Sequence, residues 1–132
     1  RDDWLTSLFE TRHLWPDQYL HHLTKVIGTI GRHGNAVILG RGANYILPQE
    51  STFRVRIIGP FDLRIKNATR TTEDEARRYL IKVDADREAF IRKYFNADVK
   101  DPAHYDLVIN MRVVSIDGAV KAVIAAFNSW KR

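Results

Sequence analysis

Residues 53–67, FRVRIIGPFDLRIKN, contain the pattern that decides the fold. The first six of them alternate between apolar and charged residues and then become apolar, which predicts a β-strand. Gly59 and Pro60 end that strand, and residues 60–68 have the spacing of a short helix that contains Leu63, Arg64 and Ile65. A strand, a tight turn and a helix in this order are typical of a sheet that carries helices on its faces.

The same alternation continues toward the C-terminus. Thr72 and Glu75 form a capping box, with a hydroxyl at the cap and a carboxylate three residues later, and predict the start of a long helix. Asn96 and Asp98 end that helix, and residues 105–110 predict another strand. Ser115 then begins a last helix with an apolar stripe. Alternating strands and helices indicate a parallel sheet, so the sequence predicts an α/β fold.

Toward the N-terminus the sequence predicts two helices and one more strand. Residues 3–13 have apolar positions at helical spacing, and Pro16 opens a second helix that Gly31 and Gly34 end. Residues 36–39 are four consecutive apolar residues and predict a short strand buried on both faces. Three strands are few for such a sheet, so we expect another strand either in a segment whose pattern is ambiguous or outside this chain.

Composition restricts the class of protein. The chain has 132 residues, a length that suits one domain, and 45% of them are hydrophobic and 28% charged. It has no cysteine, which excludes disulfides and thiolate–metal sites, and no apolar run approaches the roughly 20 residues that span a bilayer. The N-terminal residues are charged and resemble no signal peptide, so a cytoplasmic location is the default expectation.

The formal net charge of +5 permits an anionic partner without naming one. The basic residues are spread along the chain rather than gathered in one block, so nucleic-acid binding is the less favoured explanation of the charge. Separate arginines that each contact a phosphate explain the charge at least as well as nucleic-acid binding does.

The sequence Gly40-Arg41-Gly42 is the first candidate site, because it follows the strand predicted at residues 36–39. Ligands of parallel sheets bind beyond the carboxyl ends of the strands, and an arginine can hold a phosphate through two parallel hydrogen bonds. A tight turn with a solvated arginine explains the same residues, and the sequence leaves both alternatives open.

Asp84 and Arg87 form the second candidate, since residues three apart share one face of a helix. An ordinary surface ion pair is the favoured explanation from spacing alone. Arg64 and Arg70, before the capping box, are likewise explained by solvated charge. The five histidines, which have no recognised metal-ligand spacing, predict no metal site; they are His13, His21, His22, His33 and His104.

Taken in order, several segments resemble the cytidylate kinase-like family of P-loop nucleoside monophosphate kinases. The resemblance covers roughly residues 17–127. Its segments are VILGRGANYIL, FRVRIIGPFDLRIKN, EDEARRYLIKVDADREAFIRKYF, DPAHYDLVINM and SIDGAVKAVIAA. It implies a single domain over residues 1–132, with a lid at about residues 68–96 and an incomplete three-layer P-loop kinase-like fold, in which a small parallel sheet is flanked by helices.

The resemblance implies transfer of the γ-phosphoryl group of ATP, with Mg²⁺, to CMP, dCMP or a similar small acceptor. Arg41 would bind the phosphate of the acceptor, and Arg64 would lie near the transferred group. Asp84 would contact the ribose, and Arg87 would help to hold the nucleotide and act in catalysis with Arg64. Asn110 would lie near the base of ATP. No residue is assigned to a metal.

The sequence departs from this family in three places. Gly42 stands where an aspartate is common, and Leu80 stands where an arginine is expected, which puts the preference for sugar and base in doubt. The sequence Gly-x-x-x-x-Gly-Lys-Ser/Thr, the phosphate loop that cradles ATP, is absent. We therefore expect that the first quarter to third of the usual domain precedes this chain, and that the chain is inactive alone.

Three hypotheses follow. The chain is part of a cytidylate-like kinase; it is a degenerate nucleotide-binding or regulatory module without catalysis; or, least favoured, it is a basic RNA-binding domain. A missing strand would also expose a sheet edge or an apolar surface, so we expect self-association or a strand borrowed from another copy.

Overall fold

The computed structural model describes residues 16–68 and 72–130, with side chains from residue 18 onward. The helix predicted at residues 3–13 lies outside the described residues. The chain divides into two compact units, Arg1–Pro48 and Gln49–Arg132. That the whole chain forms one domain stays a prediction.

The described part of the first unit contains helix α1, Pro16–His33, and the short helix α2, Ala43–Ile46. The spacing of Tyr19, Leu23 and Ile27 places them on one face of α1, and all three are buried. The predicted helix from Pro16 is confirmed. Its end lies at Gly34, whose φ of 72° is a backbone conformation that favours glycine.

Gly31 has a different role from the one predicted, because α1 continues through it. A Cβ atom at Gly31 would lie 2.5 Å from Cδ2 of Leu47, so the glycine allows the Leu47 side chain to approach the helix. The prediction that Gly31 ends the helix is therefore wrong. The contact joins residues that are distant in sequence, and no local pattern shows it.

The strand predicted at residues 36–39 does not form among the described residues. Val37 is 91% exposed and Leu39 is 83% exposed, so the expected burial on both faces is also wrong. An apolar run becomes a strand only where another strand pairs with its backbone. In the part of the chain that the structure describes, no strand pairs with this segment.

The second unit contains a two-stranded parallel sheet formed by β1, Val55–Ile58, and β2, Leu107–Asn110. Its register pairs Val55 with Leu107 and Ile58 with Asn110. Helices α3, Phe61–Asn67, and α4, Glu73–Phe95, lie between the strands in sequence, as a parallel connection requires. Helix α5, Ile116–Ser129, follows β2. These strands and helices are compatible with the predicted α/β fold, although both strands are shorter than predicted. The three-layer P-loop kinase-like arrangement stays a prediction.

Both predicted caps are present in the second unit. The Thr72 hydroxyl accepts a hydrogen bond from the backbone N–H of Glu75 at 3.1 Å, and the Ser115 hydroxyl accepts one from Gly118 at 3.0 Å. These bonds satisfy N–H groups that the first turn of a helix otherwise leaves unpaired. Asn96 ends α4 with a φ of 50°, as an asparagine at this position often does.

An ion pair fixes the point where the two strands begin. The Arg54 side chain is 9% exposed and donates from Nε and Nη2 to the carboxylate of Asp106, each at 3.3 Å. The backbone N–H of Arg54 donates to the same carboxylate at 2.7 Å, and the backbone N–H of Asp106 donates back to the Arg54 carbonyl. Because both residues directly precede their strands, these bonds hold the register of the sheet.

The sheet is covered unequally. Ile109 on β2 and Ala119 on α5 are buried, whereas Ile57, the register partner of Ile109, is 55% exposed. Phe53, Phe127 and Trp130 form an aromatic cluster, with ring centroids 5.6 to 5.9 Å apart, that joins the approach to β1 with the end of α5.

Candidate functional site

The carboxyl ends of β1 and β2 meet at one edge of the sheet, where ligands of parallel sheets bind. Ile58 is paired with Asn110, and the N–H of Met111 donates to the Ile58 carbonyl at 2.8 Å. Gly59 and Pro60 turn the chain there, and α3 begins at Phe61. The strand–turn–helix unit predicted from residues 53–67 therefore builds one wall of this edge.

A cavity of about 490 Å³ opens at this edge. Its walls are largely apolar, and the side chains of Arg64 and Asn67 on α3 supply polar groups. The apolar walls come from both strand ends, from α3 and from α4, and include Ile58, Leu63, Tyr79, Leu80 and Met111. A mostly apolar cavity with a few polar side chains is the usual form of a site for a small organic ligand.

Arg64 and Asp84 form a two-pronged ion pair beside this cavity. Nη1 of Arg64 donates to Oδ2 of Asp84 at 2.8 Å, and Nη2 donates to Oδ1 at 2.7 Å. The two side chains are 33% and 32% exposed, so solvent reaches the pair. The pair joins α3 to the middle of α4 across 20 residues of sequence. Two parallel bonds fix the plane of the guanidinium as well as its position.

Arg87 contacts the same carboxylate. Its Nη1 lies 3.3 Å from Oδ1 of Asp84, on the helix face that the three-residue spacing predicted. The Arg87 side chain is 54% exposed. One carboxylate therefore lies between two guanidiniums, and these three side chains, Arg64, Asp84 and Arg87, form what we call the arginine cluster.

The cluster changes the acid–base behaviour of its members. Hydrogen bonds from Arg64 lower the pKa of Asp84 below its ordinary value, against the opposing effect of partial burial, and Arg87 lowers it further. The hydrogen bond to Asp84 also raises the pKa of Arg64. At neutral pH the cluster thus holds two positive charges and one negative charge, and this excess positive charge suits an anionic ligand.

Arg41 belongs to the Arg1–Pro48 unit and is described within it. Gly40, Arg41 and Gly42 all have positive φ angles, of 73°, 60° and 74°. The left-handed region is unfavourable for an arginine, so the flanking glycines allow a turn that holds Arg41 in a strained conformation. Its Nε is enclosed and has no hydrogen-bond partner among the described residues.

Asn110 ends β2 and is exposed. Its Oδ1 accepts a hydrogen bond from the N–H of Arg112 at 3.0 Å, which leaves the amide NH₂ to donate to a ligand. The neighbouring residue Met111, rather than Asn110, lines the cavity. The structure thus places Asn110 at the sheet edge and next to a cavity residue.

Two departures from the family pattern now have a structural context. Leu80, where the family has an arginine, contributes an apolar wall to the cavity. Nearby Arg77 instead donates to Glu73 at 3.1 Å and lies over the ring of Phe61. Gly42 precedes α2 at a φ of 74°, where a glycine is less strained than an aspartate.

The sequence did not reveal the pairing of Arg64 with Asp84 or the cavity lined by Asn67 and Met111. Spacing shows neighbours on one helix, but the Arg64 pair depends on how α3 packs against α4. Arg70, named with Arg64 in the sequence, lies outside the described residues. Within residues 16–68 and 72–130, no three histidine, aspartate or glutamate side chains are placed to hold a metal ion, and no helix is long and apolar enough to cross a membrane.

Comparison with known proteins identifies a family. The sequence profile of the cytidylate kinase-like family matches residues 1–113, which is most of the chain. No curated protein matches the chain. The matched residues include β1, α3, α4 and β2, and with them the cavity edge and the whole arginine cluster. The chain therefore belongs to the cytidylate kinase-like family.

Proposed function

We propose that this chain binds the acceptor nucleotide in a nucleoside monophosphate kinase of the cytidylate type, with CMP or dCMP as acceptor and ATP as phosphoryl donor. This proposal rests on one observation: Arg64 and Arg87 converge on Asp84 beside a cavity at the carboxyl edge of the sheet. Family membership makes a nucleotide kinase the functional class that this geometry fits best.

Phosphoryl transfer requires charge compensation and alignment more than covalent participation of the protein. Arg64 supplies positive charge near the transferred group, and Arg87 holds the nucleotide from the face of α4. Asp84 accepts hydrogen bonds from the ribose hydroxyls. For Arg41, in the Arg1–Pro48 unit, the resemblance implies a role in binding the phosphate of the acceptor, and its enclosed Nε has no partner among the described residues.

The donor side of the reaction uses fewer residues of this chain. Asn110 directs its amide NH₂ toward the base of ATP. Mg²⁺, when bound, neutralises charge on the ATP phosphates. The described residues hold no group of three metal-ligating side chains, so we assign no protein ligand to the ion.

The sequence contains no Gly-x-x-x-x-Gly-Lys-Ser/Thr motif, so we propose that these 132 residues bind CMP but do not phosphorylate it alone. Incubation with CMP, ATP and Mg²⁺ should give no CDP. CDP formation in proportion to the concentration of the chain would contradict this part of the proposal.

Arg87→Gln tests the acceptor site. Removal of a guanidinium that binds the nucleotide should weaken CMP binding about tenfold or more, measured by titration calorimetry. Lys82→Gln is the matched control, because it makes the same charge change on α4. Lys82 is 76% exposed and pairs with Asp86, so its variant should bind CMP within about twofold of the unmodified chain.

Equal losses in the two variants would show that CMP responds only to net charge, and absence of CMP binding in the unmodified chain would overturn the proposal. Tight binding of a short RNA with a steep salt dependence would instead support an RNA-binding domain. The degenerate module is distinguished by joining the chain to a segment that carries a phosphate loop. Part of a kinase should then form CDP, whereas a degenerate module should bind CMP without forming CDP.

A further inference from the structure

The carboxylate of Asp84 has the surroundings that a bound phosphate group would have. It accepts two parallel hydrogen bonds from Arg64 and a third from Arg87. Guanidinium groups bind carboxylates and phosphates through the same parallel arrangement. The same donors therefore suit either anion, and in this structure an internal carboxylate occupies them.

We propose that Asp84 is an internal competitor for a phosphate group on Arg64. When the nucleotides bind, the phosphoryl group that is transferred takes the place of the Asp84 carboxylate on this guanidinium. The inference rests on the proposed function, since it concerns the same arginine cluster. It adds a regulatory element to that site: the ligand-free chain holds its own anion, and the ligand binds by exchange.

The geometry supports exchange rather than simple addition. Both terminal nitrogens of Arg64 already donate to Asp84, at 2.8 and 2.7 Å, so a phosphate that needs this pair of donors must displace the carboxylate. Both side chains are about one-third exposed, so a ligand can reach them from solvent. A pair this exposed also costs little to separate compared with a fully buried one.

The two side chains lie on different helices. Asp84 lies in the middle of α4, a helix of 23 residues, whereas Arg64 lies on α3, a helix of 7 residues. Once the carboxylate is displaced, it is available for the sugar hydroxyls of the nucleotide. Asp84 thus pairs with Arg64 before the nucleotide binds and with the sugar hydroxyls afterwards.

Asp84→Asn tests this exchange, with inorganic phosphate as the probe because it has no sugar. The amide keeps the shape of the carboxylate but loses the charge that holds Arg64. Phosphate affinity, measured from chemical-shift changes in NMR spectra, should rise about fivefold or more. Asp86→Asn is the matched control, since it makes the same charge change on α4 at a side chain that pairs with Lys82. Its phosphate affinity should change by less than about twofold.

A second background shows whether the gain acts through Arg64. In Arg64→Gln, addition of Asp84→Asn should give a clearly smaller gain, because Arg87 is then the only guanidinium of the cluster that is released. If the unmodified chain binds phosphate and Asp84→Asn binds it equally or more weakly, this inference is wrong while the proposed function stands. If neither chain binds phosphate or CMP, the proposed function fails as well.

A measurement on the unmodified chain avoids dependence on the folding of any variant. Saturation with phosphate should shift the resonance of the Asp84 carboxyl carbon, because the carboxylate loses its guanidinium donors. The carboxyl resonance of Asp86 serves as an internal reference and should stay in place. An unshifted Asp84 resonance in a chain that binds phosphate would overturn the inference.

Discussion

At the scale of single residues, Asp84 links the stability of the fold to its proposed chemistry. Its carboxylate contacts Arg64 on one helix and Arg87 on another turn of its own helix. The sequence predicted only the second contact, since a helix repeat places residues three apart together. The first depends on packing between two helices, and for that reason Arg64 was indistinguishable from a solvated charge in the sequence.

The depressed pKa of Asp84 predicts a pH dependence of stability. Hydrogen bonds from Arg64 lower this pKa in the folded state, so the ionised carboxylate stabilises the fold. This contribution is complete above the ordinary pKa of an unfolded aspartate and is lost as the pH falls through the lower folded value. The free energy of unfolding of the unmodified chain should therefore exceed that of Asp84→Asn at pH 7.

The difference between the two chains should shrink below about pH 4, in urea denaturation over a pH series. Asp86→Asn serves again as control, because Asp86 is 47% exposed and pairs only within its own helix in the contacts that the structure shows. If the free energies of unfolding of the unmodified chain and Asp84→Asn differ by the same amount at pH 7 and at pH 3, this explanation is wrong. The pKa of Asp106 is also lowered, because hydrogen bonds from Arg54 outweigh the effect of its partial burial. Its contribution to stability is the same in both chains and cancels in the comparison.

At the scale of helices and strands, local signals were sufficient where the structure depends on local bonds. Thr72 and Ser115 cap their helices as predicted, because a cap joins a side chain to a backbone group three residues away. Residues 36–39 have an equally clear apolar pattern, yet they form no strand in the described part of the chain. A strand requires a partner that is distant in sequence, and no pattern within four residues reveals whether that partner is present.

Helix α5 offers a test of capping by two identical substitutions. Ser115→Ala removes the hydroxyl that accepts from the Gly118 N–H at the start of α5, and it should lower the free energy of unfolding by about 1 kcal/mol. Ser129→Ala removes a hydroxyl at the other end, which donates to the carbonyl of Ala125 within the helix. This control should change stability by less than about 0.5 kcal/mol in the same urea titration. Equal effects at both ends would show that Ser115 is not an effective cap.

At the scale of the whole molecule, the second unit carries an apolar face that the described residues do not cover. The face includes Ile57 on β1 and one side of α5, and an apolar groove of about 320 Å³ lies between them. Its exposed members on α5 are Ile116, Val120, Ile124 and Phe127, which are 76%, 50%, 54% and 41% exposed. The two-stranded sheet also leaves one edge of each strand unpaired among the described residues.

This face supports the expectation of self-association. Because every copy carries the same apolar residues, two copies related by a two-fold axis can bury them against each other. We therefore predict that the chain sediments as a dimer or larger species at micromolar concentration. A folded monomer under those conditions would contradict the prediction, and it would also remove the need for a borrowed strand.

Ile124→Glu tests whether this face forms the contact between copies. A carboxylate on α5 in place of an exposed apolar side chain should shift the sedimentation profile toward monomer, because an unpaired charge is costly to bury in an apolar interface. Lys121→Gln lowers the net charge by the same amount on the same helix, at an exposed residue that does not line the groove. This control should keep the association of the unmodified chain. If both variants dissociate equally, net charge governs association and the apolar face does not. A shift in Ile124→Glu alone places the contact on the groove between β1 and α5. Ile57 and Met111 line both this groove and the cavity beside Arg64, so self-association borders the proposed nucleotide site.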